Sequence, residues 1–292
     1  MKKLCTLFAV AMLFTLAGCK DATADISKGD TALITVDGEK ITNENIYQLI
    51  KKTDGASATL RMVQEKIADK ENIKIDDAMK KEAEESTKSL KTMYGDKLDA
   101  TLKQNGYENL DDYTEKVVYP NLRIKGLIKN YVESKQESVF KTYHPVKAQI
   151  LEADSEKKAK SALEALKKGD KFADVVKKYG TTTTYKGTEE IYNSKSGLPT
   201  AVFDKIKSTD KKGLIDSVLS DTTNKKYYVV NLTNIDTASF KDDAIQSIVD
   251  NGGEDLQNAA ISYFLKKYDF TIYDKDVYDG IKSTNEGFIV QK

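Results

Sequence analysis

Leu16-Ala17-Gly18-Cys19 ends a short apolar run and puts a thiol where an exported chain is cut. Lys2 and Lys3 form a positive start, and Leu4 to Leu16 is apolar but too short to span a bilayer comfortably. Small residues then lead to the cysteine, which is the order of a secretory signal that is removed and takes no part in the fold. The sequence has two cysteines, and Cys5 leaves with the signal. The remaining chain has no second thiol for an internal disulfide, so its core must hold it together. The one histidine, His144, is an equally strong constraint. Ser-His-Asp and Cys-His triads need an imidazole beside a nucleophile, and multi-histidine metal sites need several. His144 stands in Tyr143-His144-Pro145, at the junction of two segments, and reads as a linker residue rather than a catalytic one.

The tetrapeptide resembles the bacterial lipoprotein box, in which the chain is cut before the cysteine and the thiol is diacylated. That resemblance makes Cys19 the lipidation site and first mature residue, held at the outer face of the plasma membrane. Two acyl chains anchor stably where one is marginal. The alternative is an ordinary signal peptide followed by a chance cysteine.

The elements that must position any further chemistry follow from composition and periodicity. About 270 residues follow Gly18, enough for one large domain or two small ones. Basic and acidic residues balance at 46 each, so no global field favours nucleic acid. Charged residues make up 32% and apolar residues 39%, with three prolines and no tryptophan, a profile of a helix-rich chain with a charged surface. No later apolar run is long enough to span a membrane.

Asp21 to Asp30 is polar and aperiodic and reads as a tether. Ala32 to Val36 before Asp37-Gly38 predicts a strand entering a tight turn, and Thr42 a helix cap. Residues 56 to 136 read mostly as helix, with Leu60, Val63 and Ile67 in one stripe and a new helix opening at Tyr107 to Tyr113. After Pro145 come a strand at Val146 to Leu151, a helix capped by Asp154 or Ser155, and a short helix around Phe172 to Val176. A turn-rich stretch from Thr181 to Gly197, a helix at Ala201 to Ile206 and a strand at Tyr227 to Leu232 follow. Helical character returns from Phe240, with Phe270 to Tyr273 a candidate last strand and Ser283 to Lys292 left without assigned order.

Val146-Lys147-Ala148-Gln149-Ile150-Leu151 and Gly169-Asp170-Lys171-Phe172-Ala173-Asp174-Val175-Val176 resemble the opening of a parvulin-type peptidyl-prolyl isomerase domain. Leu198-Pro199-Thr200-Ala201-Val202-Phe203 and Tyr227-Tyr228-Val229-Val230 fit its later parts. With the lipoprotein box and the flanking helices, nearly the whole chain resembles the PrsA-type foldase lipoproteins. The resemblance implies an α+β fold in which a discontinuous helical chaperone domain, from residues 31–142 and 238–282, carries an inserted parvulin-like domain at 143–237. Residues 1–18 are then the signal peptide, 19–30 the lipidated tether and 283–292 a tail.

The departures bear on activity. Parvulins carry two histidines, whose places are taken here by Gln149 and Tyr228, and the acid or cysteine after the second helix has no counterpart in Thr181 to Thr184. The proline pocket maps onto Leu198 and Val202, with Phe203 beside it. An isomerase must bind the twisted amide better than either planar form, lowering a barrier of roughly 18–20 kcal/mol with preorganised polar groups. Gln149 and Tyr228 can hydrogen-bond but do not reproduce a histidine pair. The expectation is a chaperone for unfolded secreted proteins with weak or absent isomerase activity. It uses no cofactor or metal and no nucleic acid, and it reaches the membrane through its lipid; homodimerisation stays open. Tyr107, Tyr113, Tyr119, Tyr131 and Phe140 are its candidate client contacts, though for any one of them core packing is the readier reading. The alternatives are an active isomerase with a modified site and, behind it, a small-molecule binding lipoprotein.

Overall fold

The computed structural model describes residues 26–181 and 184–291. The expected signal and Cys19 lie outside them. Strands β1 (Ala32–Val36) and β2 (Glu39–Thr42) form a hairpin ahead of a long helix, α1 (Asn43–Lys70). Helices α2 (Asp77–Tyr94), α3 (Leu98–Gln104), α4 (Leu110–Tyr113), α5 (Tyr119–Ser134) and α6 (Gln136–Tyr143) follow. A mixed stretch then runs β3 (Val146–Ala153), α7 (Glu156–Lys167), α8 (Phe172–Tyr179), β4 (Glu190–Tyr192) and α9 (Thr200–Lys207). It closes with β5 (Gly213–Leu214), β6 (Leu219–Asp221) and β7 (Lys226–Asn234), before α10 (Lys241–Asn251), α11 (Gly253–Lys267) and α12 (Lys275–Thr284). The chain divides into two compact units, one ending at Ile67 and resuming at Ile261, the other spanning Ala68–Ala260.

In the first unit Thr42 and Asn45 exchange hydrogen bonds, Thr42 N to Asn45 Oδ1 at 3.0 Å and Asn45 N to Thr42 Oγ1 at 3.3 Å, which fixes the start of α1. The end of the expected tether is folded: Gly29 N donates to Ile26 O, and Glu44 N to Gly29 O. Lys51 Nζ reaches Asp274 at 2.9 Å and Asp276 at 3.3 Å, joining α1 to the start of α12. One expectation fails at the C-terminal end. Phe270 to Tyr273 is not a strand, because Asp274 caps α12 by accepting from Val277 N. Residues 283–291, left without assigned order, are structured: α12 runs to Thr284 and Phe288 is buried. Gln291 accepts from Ile272 N through its side-chain oxygen and donates to Ile272 O through its nitrogen. One amide side chain thus satisfies the backbone groups that a partner strand would have taken.

In the second unit β4, β3, β7 and β5 form an antiparallel sheet in that order, with β6 also paired to β7. Val146, Ala148 and Ile150 of β3 join Tyr228, Val230 and Leu232 of β7 in one core with Val202 and Ile206 of α9. Leu151, Ala153 and Val229 face the other way, into a core with α7 and α8. This is the period-two alternation of a sheet covered on both faces. Helices α5, α6, α10 and the start of α11 close around Val132, Phe140, Tyr143, Ile245 and Leu256. Gly126 lets α5 approach closely, since a Cβ there would stand 2.8 Å from Ile73 Cγ2. Between α4 and α5 the helix widens into a π turn at Thr114–Val118, just before Pro120, which has no N–H to donate.

The buried tail carries a testable consequence. Replacing Phe288 with Ala should lower stability by about 3 kcal/mol, the cost of emptying a buried aromatic site. Denaturant titration should register it, whereas a loose tail would leave the midpoint unchanged.

Candidate functional site

The inner sheet places the residues mapped onto the parvulin site, and it separates them. Gln149 stands opposite Asn231, and Glu152 opposite Tyr228. Tyr228 belongs to the face packed on α9. The Gln149 amide points the other way: Nε2 donates to Gly187 O at 2.9 Å, and Oε1 accepts from Asn231 Nδ2 at 2.9 Å. Gly187, at φ +76°, sits so close to α8 that a Cβ would lie 2.7 Å from Val176 Cγ2. The two degenerate parvulin positions do not meet: Gln149 fastens a loop to one face while Tyr228 lies on the other. An odd number of positions along a strand always divides residues in this way.

The partner of Tyr228 is Glu152, which the sequence reading did not single out. The phenol donates to Glu152 Oε2 at 3.1 Å, and Lys226 Nζ lies 3.3 Å from Oε1. The Tyr185 ring meets Tyr228 edge to face at 5.9 Å. Nearby, Tyr192 Oη donates to Glu190 Oε2 at 3.2 Å, and Thr188 to Oε1 at 3.1 Å. Burial, then the adjacent carboxylates, push the Tyr228 and Tyr192 phenols well above their ordinary range. Both stay neutral donors. Glu152 is found only through the pairing register, which sets it, three positions after Gln149, across from Tyr228.

The expected proline pocket is also filled from within. Val202 is 0% exposed, and Leu198 packs at the edge of the same core. Phe203 is buried, with its ring edge-on to His144 at 6.4 Å. Val202 thus has no surface to offer a proline ring, which corrects its assignment as a substrate contact. His144 ends α6 in the left-handed region, φ 48° and ψ 60°, and its N donates to Phe140 O. Burial, and after it the Lys207 charge, lower its pKa, so the ring is a neutral packing group at the junction.

Among the helices, Tyr94, Leu98, Leu102, Tyr107, Tyr113 and Val117 line a groove of about 340 Å³. Tyr107 and Tyr113 meet edge to face at 5.0 Å. Met93 and Tyr94, at the end of α2, are exposed. Of the expected client contacts, the structure brings Tyr107 and Tyr113 together at this groove. It places Phe140 and Tyr131 in or against the core of α5, α6 and α10, and Tyr119 against the packing of Ala83 and Leu122.

The raised phenols give a pH dependence with a definite sign. Below pH ~10 both folded and unfolded chains hold these protons. Above it the unfolded chain releases them first, so stability falls as pH rises. The double variant Tyr192→Phe, Tyr228→Phe should flatten the fall between pH ~10 and 11 in a denaturant series. A slope equal to that of the parent chain would contradict the buried-phenol geometry.

Residues 128–244 match the family model described as the PPIC-type PPIASE domain. The foldase protein PrsA of Streptococcus mutans is 30% identical over 290 residues, covering 92% of this chain and 83% of that protein. The foldase protein PrsA of Bacillus subtilis is 29% identical over 273 residues, covering 88% of each. Among solved structures, the foldase protein PrsA of Streptococcus pneumoniae superposes with a TM-score of 0.51 at 23% identity, over 88% of this chain and 99% of that one. That agreement supports the mixed helix and sheet fold, with its helical segments and parvulin domain. At this identity and coverage the chain belongs to the PrsA foldase family.

Proposed function

We propose that this protein is a lipid-anchored folding factor at the outer face of the plasma membrane, acting on unfolded secreted proteins as a holding chaperone with weak or absent isomerase activity. The observation that carries the catalytic half is the Tyr228 hydroxyl, 4% exposed as a residue and already donating to Glu152, beside a Val202 with no free surface. Isomerisation needs polar groups aimed at an open apolar pocket, so that the twisted amide is held better than the planar one. Here those groups are spent on one another. The parvulin-like part, 143–237, serves as a packed body between helical segments 31–142 and 238–282. The groove at Tyr94, Tyr107 and Tyr113 supplies the client contact: apolar walls with polar tips suit loose capture of many sequences.

The anchor follows from Leu16-Ala17-Gly18-Cys19, whose thiol would carry the lipid. Among the described residues no helix is long and apolar enough to cross a membrane. The second reading, an active isomerase, draws on the match to the PPIC-type domain and would rest on Tyr228 and Glu152 rather than on Gln149.

Two assays on the chain from Lys20 onward separate the readings. A panel of proline tetrapeptides should isomerise at the uncatalysed rate, and aggregation of an unfolded secreted protein should be suppressed. The pair Tyr94→Ser, Tyr107→Ser should weaken suppression about threefold while leaving the fold intact. A substantial rate enhancement abolished by Tyr228→Phe would establish the isomerase instead. Mass spectrometry of the exported protein should find the diacyl modification on Cys19.

A further inference from the structure

The hairpin of the first unit is apolar and uncovered. Every residue of β1 is exposed. Leu33, Ile34, Val36 and Ile41 keep 38% to 63% of their surface, and Leu49 and Ile50, in the first turns of α1, keep 58% and 54%. Ile34 stands directly across from Ile41. A lone two-stranded ribbon is marginal in water, and exposed aliphatic side chains on it mark a contact surface.

The chain leading into the hairpin says what covers it. Ile26, the first described residue, opens the turn that delivers β1, and only residues 20–25 separate it from Cys19. Seven Cα–Cα steps reach at most about 25 Å. If Cys19 carries lipid, Ile26 stays within about 25 Å of the anchor, and the effective concentration of the hairpin at the bilayer is high. Charge also discriminates. Lys28 and Lys40 are outnumbered around the ribbon by Asp30, Asp37, Glu39 and Glu44, so an anionic headgroup layer offers no net attraction. The attraction must come from the aliphatic side chains. An interfacial element buries one apolar face, and Ile34, Val36 and Ile41 share a face of this ribbon.

We propose that the β1–β2 hairpin and the first turns of α1 are a membrane-contact element, seating apolar side chains at the bilayer boundary beside the lipid anchor. The proposal rests on the anchored reading above. Its function is to hold the first unit at the surface rather than at the end of a free tether.

The absence of tryptophan makes the test clean. The chain from Cys19 onward, carrying Ile34→Trp, is coupled through its only thiol to maleimide-headgroup lipid in phosphatidylcholine vesicles. Coupling replaces natural acylation, so failure of the lipidation reading, scored separately by mass spectrometry, does not confuse the result. The expected result is blue-shifted emission that brominated phosphatidylcholine quenches about twofold, little changed by salt. Adding Val36→Ser and Ile41→Ser should abolish the quenching. Met93→Trp, an exposed site outside the patch, should not be quenched.

Emission unchanged from that in buffer would overturn the proposal, as would equal quenching at position 93. A blue shift without vesicles that grows with protein concentration would overturn it in favour of a second copy. A shift appearing only with an unfolded protein present would overturn it in favour of a client site.

Discussion

The pairing of β3 with β7 is the constraint on which the central part of this molecule depends. Seven partner pairs hold the two strands together, and the cores on both sides of the sheet take side chains from each of them. Once the register is set, each residue's face is set as well. Slipping β7 by one position against a fixed β3 would turn Val230 toward α8 and Asn231 into the α9 core, parting each from its partner. The hydrogen bond between Gln149 and Asn231 and the one between Tyr228 and Glu152 act as polar pins on opposite faces of that register. Each is a cross-strand pair, so each opposes slippage where aliphatic packing alone would be more permissive.

Much of this arrangement was legible from the sequence. The strands Val146–Ala153 and Lys226–Asn234, the Ser155 cap and the helices that bury Ala162 and Val175 all declare themselves by period and capping chemistry. The failures share one cause. Gln149 and Tyr228 were joined by motif resemblance, which compares sequence positions but carries no pairing register. A one-residue ambiguity in a strand motif is invisible along the chain and decisive across the sheet. Val202 was misread for a related reason: an apolar residue one turn along from Leu198 suits a pocket wall and a core equally, and only burial distinguishes them. The order of residues 283–291 is hidden because Phe288 is an isolated apolar residue without period, and Gln291 bonds a backbone 19 positions away.

The sheet core takes its polar ends from phenols. Three tyrosines, at 185, 192 and 228, fill space with rings and end in hydroxyls. Two of those hydroxyls meet Glu190 and Glu152 near the rim of the core. A buried donor left unpaired would cost a few kcal/mol, so the carboxylates matter for the fold whether or not any substrate meets them. Asn193 plays the same part at the other side of β4: it is 1% exposed and donates to Ser247 Oγ on α10 at 3.0 Å. The sheet is thereby fastened to the helices by polar groups as well as by the apolar contact of Ile191.

The divided first unit has a consequence for the timing of assembly. Its opening part, through Ile67, is synthesised long before Ile261–Gln291, which supplies the far ends of the Lys51–Asp274 bridge and the Gly280–Ala56 contact. The second unit is contiguous in sequence, and its β3–β7 ladder can close as soon as Asn234 is available. A chain that emerges from its N-terminal end can therefore have a native middle while its beginning still waits for its end. Contacts of such long sequence separation form slowly. A member of a foldase family must itself pass through an unfinished stage, with its first and last segments still apart.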